Sequence, residues 1–239
     1  MQDGLEQSQQ PGFQSETMTA ATEPSDQRPP RAASRHLGWG LIAIAAIAIG
    51  LYAVPPYATF DPLWSRIPLN AAFTAHMLWL SVHAVPSGLA LIIGPFQFMP
   101  AIRTRWPKAH RLAGKVYLCC VVLGSIAAIA STIMTTAGFA AQVGFSLLIM
   151  GWLLSAWHAY RAARQRRFAD HRIWMIRNYA LTFAAVLLRV FLVAGMGVRQ
   201  LVPSIPFDQL YTSSLWSAIF VSALVAEWFI VTRARPKAR

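Results

Sequence analysis

RAARQRRFADHRIWMIR, residues 161–177, is the stretch that decides the fold, because it places six arginines between two long apolar runs. The runs, residues 139–160 and 173–198, are each long enough to span a bilayer at about 1.5 Å per residue across about 30 Å. So many charges cannot lie in hydrocarbon, and the stretch is therefore predicted to be a cytoplasmic loop between two transmembrane helices. Placing this loop inside the cell sets the direction of every other helix.

Six transmembrane helices with both termini in the cytoplasm satisfy all the loops. The predicted helices cover about residues 37–54, 75–98, 111–136, 139–160, 173–198 and 211–232, and the first is expected to end at Pro55-Pro56. Of the 21 lysines and arginines, only Arg66 and Arg199 fall outside, and Arg189 lies within the membrane. This distribution follows the positive-inside rule, and the predicted fold class is an all-α, six-helix transmembrane bundle.

The two ends of the chain are polar. Residues 1–36 have few large aliphatic side chains and cannot bury enough apolar surface to fold, so a disordered cytoplasmic tail is predicted there. Residues 233–239, RARPKAR, form a basic cytoplasmic tail. The first apolar run begins only at Leu37, too late for an ordinary signal peptide, and it is interpreted as a retained helix.

Composition limits the classes of function. The 239 residues are 56% hydrophobic and 13% charged, whereas a soluble protein has about 25% charged residues. The net charge of +12 comes from short basic clusters beside apolar runs, which predicts contact with anionic lipid headgroups and not with nucleic acid. Cys119 and Cys120 are adjacent in an apolar run, so free thiols are expected. The sequence carries no phosphate loop, GxSxG, CxxC or dinucleotide fingerprint.

Two ionisable residues at matching depth lie in the outer half of the bundle. His83 lies about 12 Å and Arg189 about 13 Å from the outer ends of their helices by helical rise. Pro86 leaves the carbonyl group of Val82 without its helical donor beside the histidine. The two residues are either structural, with hydrogen bonds to neighbouring helices or to the carbonyl groups around Pro86, or they form a site for an anionic or carbonyl-bearing molecule.

Arg189 ends a polar stripe that begins at His171, five helical turns earlier. The residues between them at helical spacing are Met175, Asn178, Thr182 and Ala185. A polar stripe in a transmembrane helix is predicted to face the interior of the bundle.

A second group of ionisable residues lies at the inner face. His110 and His171, with His158 nearby, either cap helices and contact phosphates or ligate haem, whose propionates the surrounding arginines would suit. Zinc is disfavoured by those arginines and by the lack of a compact ligand motif. Glu227 is expected to form a structural ion pair with Arg172 or Arg177.

Four segments carry a resemblance to a known family. HAVPSGLALIIGPFQF (83–98), HRLAGKVY (110–117), ADHRIWMIRNYALTFAAVLLR (169–189) and LVAEWFI (224–230) resemble bacterial polytopic membrane proteins of the domain-of-unknown-function family twenty-three-oh-six. The resemblance implies a location in the bacterial inner membrane, with a membrane-protein partner or a second copy of the chain as a partner, but no reaction. The positions it marks are His83, His110, Arg111, Gly114, Tyr117, His171, Arg172, Arg177, Arg189 and Glu227.

A looser likeness is to six-helix dihaem cytochromes b, which place histidines on four successive helices. Here the outer half has histidines, His76 and His83, on the second helix only. The likeness therefore implies a single haem b or a quinone as the cofactor.

Three hypotheses of function follow. The first is a redox membrane protein in which His83, His110, His171 and Arg189 hold haem b or a quinone. The second is a non-catalytic membrane subunit or assembly factor, whose polar residues hold the bundle together. The third, a small-solute or proton-coupled transporter, is disfavoured because only the second helix carries a central proline and no matched pair of broken helices occurs.

Overall fold

The structure is a computed structural model that describes residues 31–230 and residue 232, with side chains from residue 37 onward. Most of the predicted N-terminal tail and all of the basic C-terminal tail, residues 233–239, lie outside the described residues. The described helices are α1 (Arg31–Ala58), α2 (His76–Gln97), α3 (Pro100–Arg105), α4 (Pro107–Met134), α5 (Phe139–Arg164), α6 (Phe168–Leu201) and α7 (Phe207–Phe229). A 3₁₀ turn, Pro62–Trp64, follows α1.

Six of these helices are long and apolar enough to cross a membrane, and α3 is the exception. Every predicted span has its counterpart, so the all-helical fold class is confirmed. The end of the bundle that carries the α5–α6 turn is called the arginine-rich end below. The end that carries Pro62–Trp64 is called the opposite end.

The first helix does not end at the proline pair. α1 begins at Arg31, six residues before the predicted start, and Pro55 and Pro56 lie inside its last turns. Proline removes a donor only from its own position, so the carbonyl groups one turn earlier lose their bonds while the chain continues in helical conformation. The hydroxyl group of Thr59 donates to the carbonyl oxygen of Pro56 at 2.8 Å and closes the helix end.

The arginine-rich stretch is mostly helical, which corrects its prediction as a loop. α5 ends at Arg164 and α6 begins at Phe168, so only residues 165–167 connect them. Arg166 adopts a left-handed conformation with φ of 58°, and the N–H of Arg167 donates to the carbonyl oxygen of Ala162 at 2.9 Å. This geometry satisfies the last carbonyl groups of α5 and reverses the chain sharply. Helices can extend beyond the hydrocarbon layer, so arginines on their end turns remain in water.

Other loops are also shorter than predicted. The predicted inner loop at 99–110 contains α3, and α4 begins at Pro107, a position where proline costs no helical hydrogen bond. α6 extends to Leu201 and so includes Arg199, and α7 begins after Pro206.

Helix α2 packs against α1 and α4, and α6 packs against α5 and α7. Glycines allow two of the close approaches. A Cβ atom at Gly94 would overlap the ring of Tyr179, and one at Gly124 would overlap the hydroxyl group of Ser87. Small residues of this kind let transmembrane helices pack closely where no hydrophobic driving force exists. The core between these helices contains Tyr117, Val121 and Trp152 and positions the polar groups described below.

Candidate functional site

The polar stripe of α6 faces the bundle interior, as predicted. Met175, Asn178 and Thr182 are buried, and Asn178 has no exposed surface. Arg189 and His171 are half-buried at its two ends. The interior of the bundle therefore contains a line of polar groups along α6.

The middle of this stripe is part of a hydrogen-bonded core network. The hydroxyl group of Tyr117 donates to Oδ1 of Asn178 at 2.7 Å and lies 2.9 Å from Oγ1 of Thr182. The indole N–H of Trp152 donates to Oγ1 of Thr182 at 2.8 Å. Nδ2 of Asn178 donates to the carbonyl oxygen of Trp152 at 2.8 Å and to Oγ of Ser155 at 2.9 Å. Because these buried groups satisfy one another, the core network joins α4, α5 and α6 rigidly.

A further interhelical hydrogen bond, outside the core network, compensates for a proline. Pro95 has no N–H, so it leaves the carbonyl oxygen of Leu91, four residues earlier, without its helical donor. The hydroxyl group of Tyr179 donates to that oxygen at 3.2 Å. This bond connects α6 with α2, and Tyr179 is the residue that follows Asn178.

The orientation of the His83 ring is fixed by the neighbouring helix. Its Nδ1 atom lies 2.8 Å from the carbonyl oxygen of Gly124 in α4, and a carbonyl oxygen can only accept. Nδ1 therefore carries the proton, and in the neutral ring Nε2 carries a lone pair. Ser87 places its hydroxyl group 3.4 Å from Nδ1, and no hydrogen bond to Nε2 is found among the described residues.

Arg189 lies near His83, at the same depth of the bundle. One of its guanidinium nitrogens donates to the carbonyl oxygen of Ala185 at 2.8 Å, and this is the only hydrogen bond of the group among the described residues. The alternative in which Arg189 bonds to the carbonyl groups around Pro86 is not observed, because this bond lies within its own helix. His83 is within electrostatic range of the guanidinium, and for that reason alone the two residues are called a pair below.

Three tyrosines of α1 and α7 lie in the neighbourhood of Arg189. Tyr57 and Tyr211 lie within electrostatic range of Arg189, as do Tyr52 and Arg66. The guanidinium carbon of Arg66 lies 3.9 Å from the centre of the Tyr52 ring. His83, Arg189, Tyr57 and Tyr211 together are called the His83–Arg189 site. The sequence placed the first two at one depth but did not identify the tyrosines, because their positions depend on how α1 and α7 pack.

His110 and His171 form a second pair, at the arginine-rich end. Nδ1 of His171 lies 2.8 Å from the carbonyl oxygen of Ala159, so it also donates and leaves Nε2 with a lone pair. Nδ1 of His110 is buried and has no hydrogen-bond partner within the described residues. His171 and Arg103 are within electrostatic range of His110. The described part of the chain brings together no group of three or more metal-ligating side chains.

Glu227 lies against α6 near the same end of the bundle. Nε and one terminal nitrogen of Arg177 lie 2.6 and 3.0 Å from its two carboxylate oxygens. Arg177, one of the two expected partners, therefore makes this contact, and Arg172 is exposed on α6. Trp174 contacts both the guanidinium of Arg177, whose carbon lies 4.7 Å from the ring centre, and the His158 ring, which stacks on it at 4.4 Å. The His158 ring is therefore in contact with the same tryptophan as Arg177.

The four redox candidates therefore form two pairs and not one site. His83 is 14 residues from the arginine-rich end of α2, which corresponds to about 21 Å of helix. His110 and His171 lie at that end, on α4 and α6. Between the two pairs lie the core network and the bond between Tyr179 and Leu91.

The comparisons with known proteins agree with this architecture. A family described as "Predicted membrane protein (DUF2306)" matches residues 80–230. The chain belongs to the DUF2306 family. The matched segment contains His83, Arg189, the His110–His171 pair and Glu227, whereas α1 with Tyr52 and Tyr57 precedes it. No curated protein and no solved structure matches the chain, so the looser likeness to cytochromes b finds no support.

Proposed function

We propose that this DUF2306 protein is a redox membrane protein that binds the head group of a quinone at the His83–Arg189 site. The observation that carries the proposal is the hydrogen bond from Nδ1 of His83 to Gly124, because it leaves Nε2 as an acceptor in a ring that lies within electrostatic range of the cationic Arg189. An acceptor and a cationic donor within electrostatic range of each other, on two membrane spans, match a molecule that alternates between carbonyl and hydroxyl groups.

The donors and acceptors of the site fit both forms of such a ligand. A quinone carbonyl accepts hydrogen bonds, and Arg189 has N–H groups without a partner in the described part of the chain. A quinol hydroxyl group donates, and Nε2 of His83 can accept its proton. Tyr57 and Tyr211 add hydroxyl groups that can do either.

The position of the site also suits a lipid-soluble ligand. His83 and Arg189 lie on two apolar spans, α2 and α6, which contact each other. Both residues are half-buried, so each side chain keeps some accessible surface. A quinone could place its polar ring there and leave its apolar tail in the lipid.

Haem b at the His110–His171 pair is the second candidate. His171 donates Nδ1–H to a backbone carbonyl, the arrangement that metal-ligating histidines commonly show, and His110 has a buried nitrogen without a partner in the described residues. Exposed arginines at this end would suit the propionates. Tyr117, seven residues after His110 on α4, is fully buried in the packed core, so the interior beyond the pair is filled and we rank haem below a quinone. Protein made with haem supply would show a Soret band weakened by His110→Ala or His171→Ala.

A non-catalytic subunit or assembly factor is the third candidate. The fully bonded core network and the ion pair between Arg177 and Glu227 are the observations that favour it, because both serve packing alone. If the protein binds neither a quinone nor haem, the role of a non-catalytic subunit or assembly factor is the candidate that remains.

We further propose that the bundle lies in the bacterial inner membrane with both termini cytoplasmic. The exposed arginines around the α5–α6 turn would then meet the headgroups of anionic lipids. They are Arg161, Arg164, Arg166, Arg167 and Arg172. With this orientation, the His83–Arg189 site lies in the outer half of the membrane.

Photo-crosslinking tests the quinone proposal. A photoactivatable quinone in lipid nanodiscs should label peptides of α2 or α6, and an excess of unmodified quinone should compete. His83→Gln and Arg189→Gln should each lower the labelling at least five-fold. Arg199→Gln, ten residues further along α6, is the matched control and should label like the parent. Equal labelling of all four proteins would exclude the site.

A further inference from the structure

A groove of about 310 Å³ lies between α5, α6 and α7 in the half of the bundle that carries the arginine-rich end. It is called the α5–α7 groove below. Part of its lining is apolar and comes from Gly151, Leu154, Leu181 and Ala223. The rest includes the polar or aromatic side chains of His158, Trp174, Arg177 and Glu227.

The directions of the three helices separate these two kinds of lining by depth. α5 and α7 run toward the arginine-rich end and α6 runs away from it. On α5, for example, His158 is nearer that end than Gly151 by seven residues, or about 10 Å. The same order holds for Arg177 against Leu181 and for Glu227 against Ala223. The groove is therefore polar at the arginine-rich end and apolar further into the bundle, which fits a ligand with a polar head and an apolar chain.

Two exposed tryptophans place the polar end of the groove at the level of lipid headgroups. Trp157 precedes His158 and is 58% exposed, and Trp228 follows Glu227 and is 60% exposed. Tryptophan is enriched where the hydrocarbon layer meets the headgroups. The apolar lining of the α5–α7 groove then faces the hydrocarbon layer.

The polar end of the groove offers hydrogen-bond donors and positive charge. Nε and Nη2 of Arg177 contact the carboxylate of Glu227, whereas Nη1 has no hydrogen-bond partner within the described residues. The guanidinium lies over Trp174, on which the His158 ring also stacks, so its position is supported from the side. Arg161 is exposed and lies one turn after His158 on the same face of α5. Positive charge thus exceeds negative charge among the described residues at this end of the groove.

We propose that the α5–α7 groove binds one phospholipid molecule, with an acyl chain along the apolar lining and the phosphate at Arg177. A phosphate oxygen can accept from Nη1 of Arg177 in a charge-assisted hydrogen bond. Basic sites between membrane helices are suited to phosphate headgroups in this way. The arginines of the α5–α6 turn would meet the headgroups of any nearby lipid, whereas the groove would hold one molecule at a defined position. This site does not depend on the proposed quinone function, because the His83–Arg189 site lies elsewhere in the bundle.

Photo-crosslinking with two matched lipids tests the proposal in the full-length protein in nanodiscs. One probe is a phosphatidylglycerol with a diazirine in its acyl chain, and the other is a diacylglycerol with the same chains and no phosphate. The phosphatidylglycerol probe should label peptides containing residues 151–158 or 223–227 at least five-fold more than the diacylglycerol probe. Equal labelling by the two probes would overturn the proposal.

One variant fills the groove without touching the ion pair. Ala223 is exposed and lines the apolar part, so Ala223→Phe should lower phosphatidylglycerol labelling of these peptides at least five-fold. Leu224→Phe is the matched control, because Leu224 is 69% exposed and does not line the groove, and it should label like the parent. Equal labelling of Ala223→Phe and the parent would contradict the site. If a second copy of the chain occupied the groove, neither probe would label it and Ala223→Phe would dissociate a dimer, which would also overturn the proposal.

A second variant tests the phosphate contact. Arg177→Gln should bring labelling by the two probes to within two-fold of each other, while labelling by the diacylglycerol probe, which needs only the apolar lining, should stay as in the parent. An unchanged preference for phosphatidylglycerol in Arg177→Gln would show that Arg177 does not bind the phosphate. Neither probe contains a quinone, so failure of the quinone proposal leaves this result readable.

Discussion

Nδ1 of His83 donates a hydrogen bond of 2.8 Å to the backbone carbonyl oxygen of Gly124, so the orientation of the His83 ring is set by a neighbouring helix. Gly124 is itself a position where α2 and α4 approach closely, because a Cβ atom there would overlap Ser87. A side chain at position 124 would separate the helices and release the ring. The geometry of the candidate site and the packing of the bundle therefore depend on the same contact.

Replacement of Glu227 should weaken the bundle modestly. Glu227→Gln removes the carboxylate that Arg177 contacts through two nitrogens. Because both side chains are partly exposed, we expect a loss of about 1 kcal/mol in the free energy of unfolding in detergent. A double-mutant cycle with Arg177→Gln isolates the pair, and zero coupling energy would show that the contact does not stabilise the fold.

Replacement of Asn178 should cost more than any other single polar change in the core. Asn178→Leu leaves the hydroxyl group of Tyr117 and the carbonyl group of Trp152 each without a bond that they now make. An expected loss of about 2 kcal/mol follows from the cost of unpaired buried groups, measured by unfolding in sodium dodecyl sulfate. Ser222→Ala is the control, since its buried hydroxyl group has no partner in the described residues. A similar effect of both variants would contradict the role of the core network.

The bond from Tyr179 to Leu91 should matter only while Pro95 is present. Tyr179→Phe should lower the free energy of unfolding by about 1 kcal/mol, because the carbonyl oxygen of Leu91 loses its donor. In a Pro95→Ala background, the new backbone N–H can donate to Leu91, and the same substitution should then cost clearly less. Equal costs in the two backgrounds would show that Tyr179 does not compensate for the proline.

The proposed orientation predicts that both ends of the chain report the same side of the membrane. Six crossings place the two termini together and Phe60 on the other side. Reporter fusions after Arg239 and within the loop at Phe60 should give opposite signals, with the C-terminal fusion in the cytoplasm. The same signal from both fusions would contradict a six-span topology.

The spans could be predicted from the sequence because hydropathy and arginine clusters are strong local signals. The helix ends could not, because Pro55 and Pro56 fit within the last turns of α1 and because helices continue beyond the hydrocarbon layer. Helical rise alone placed His83 and Arg189 at one depth. It could not reveal the hydrogen bond from His83 to Gly124 or the one from His171 to Ala159. Nor could it reveal the bond from Trp152 to Thr182, since all three depend on the register between helices.

Infrared spectroscopy of a bound quinone tests the central claim most directly. A quinone with ¹³C-labelled carbonyl groups should show its carbonyl stretch shifted to lower frequency on binding, because Arg189 donates to one oxygen. The shift should shrink or vanish in Arg189→Gln and persist in Arg199→Gln. A labelled band that is identical for the parent protein and for free quinone in detergent would contradict the assignment of a quinone to the His83–Arg189 site.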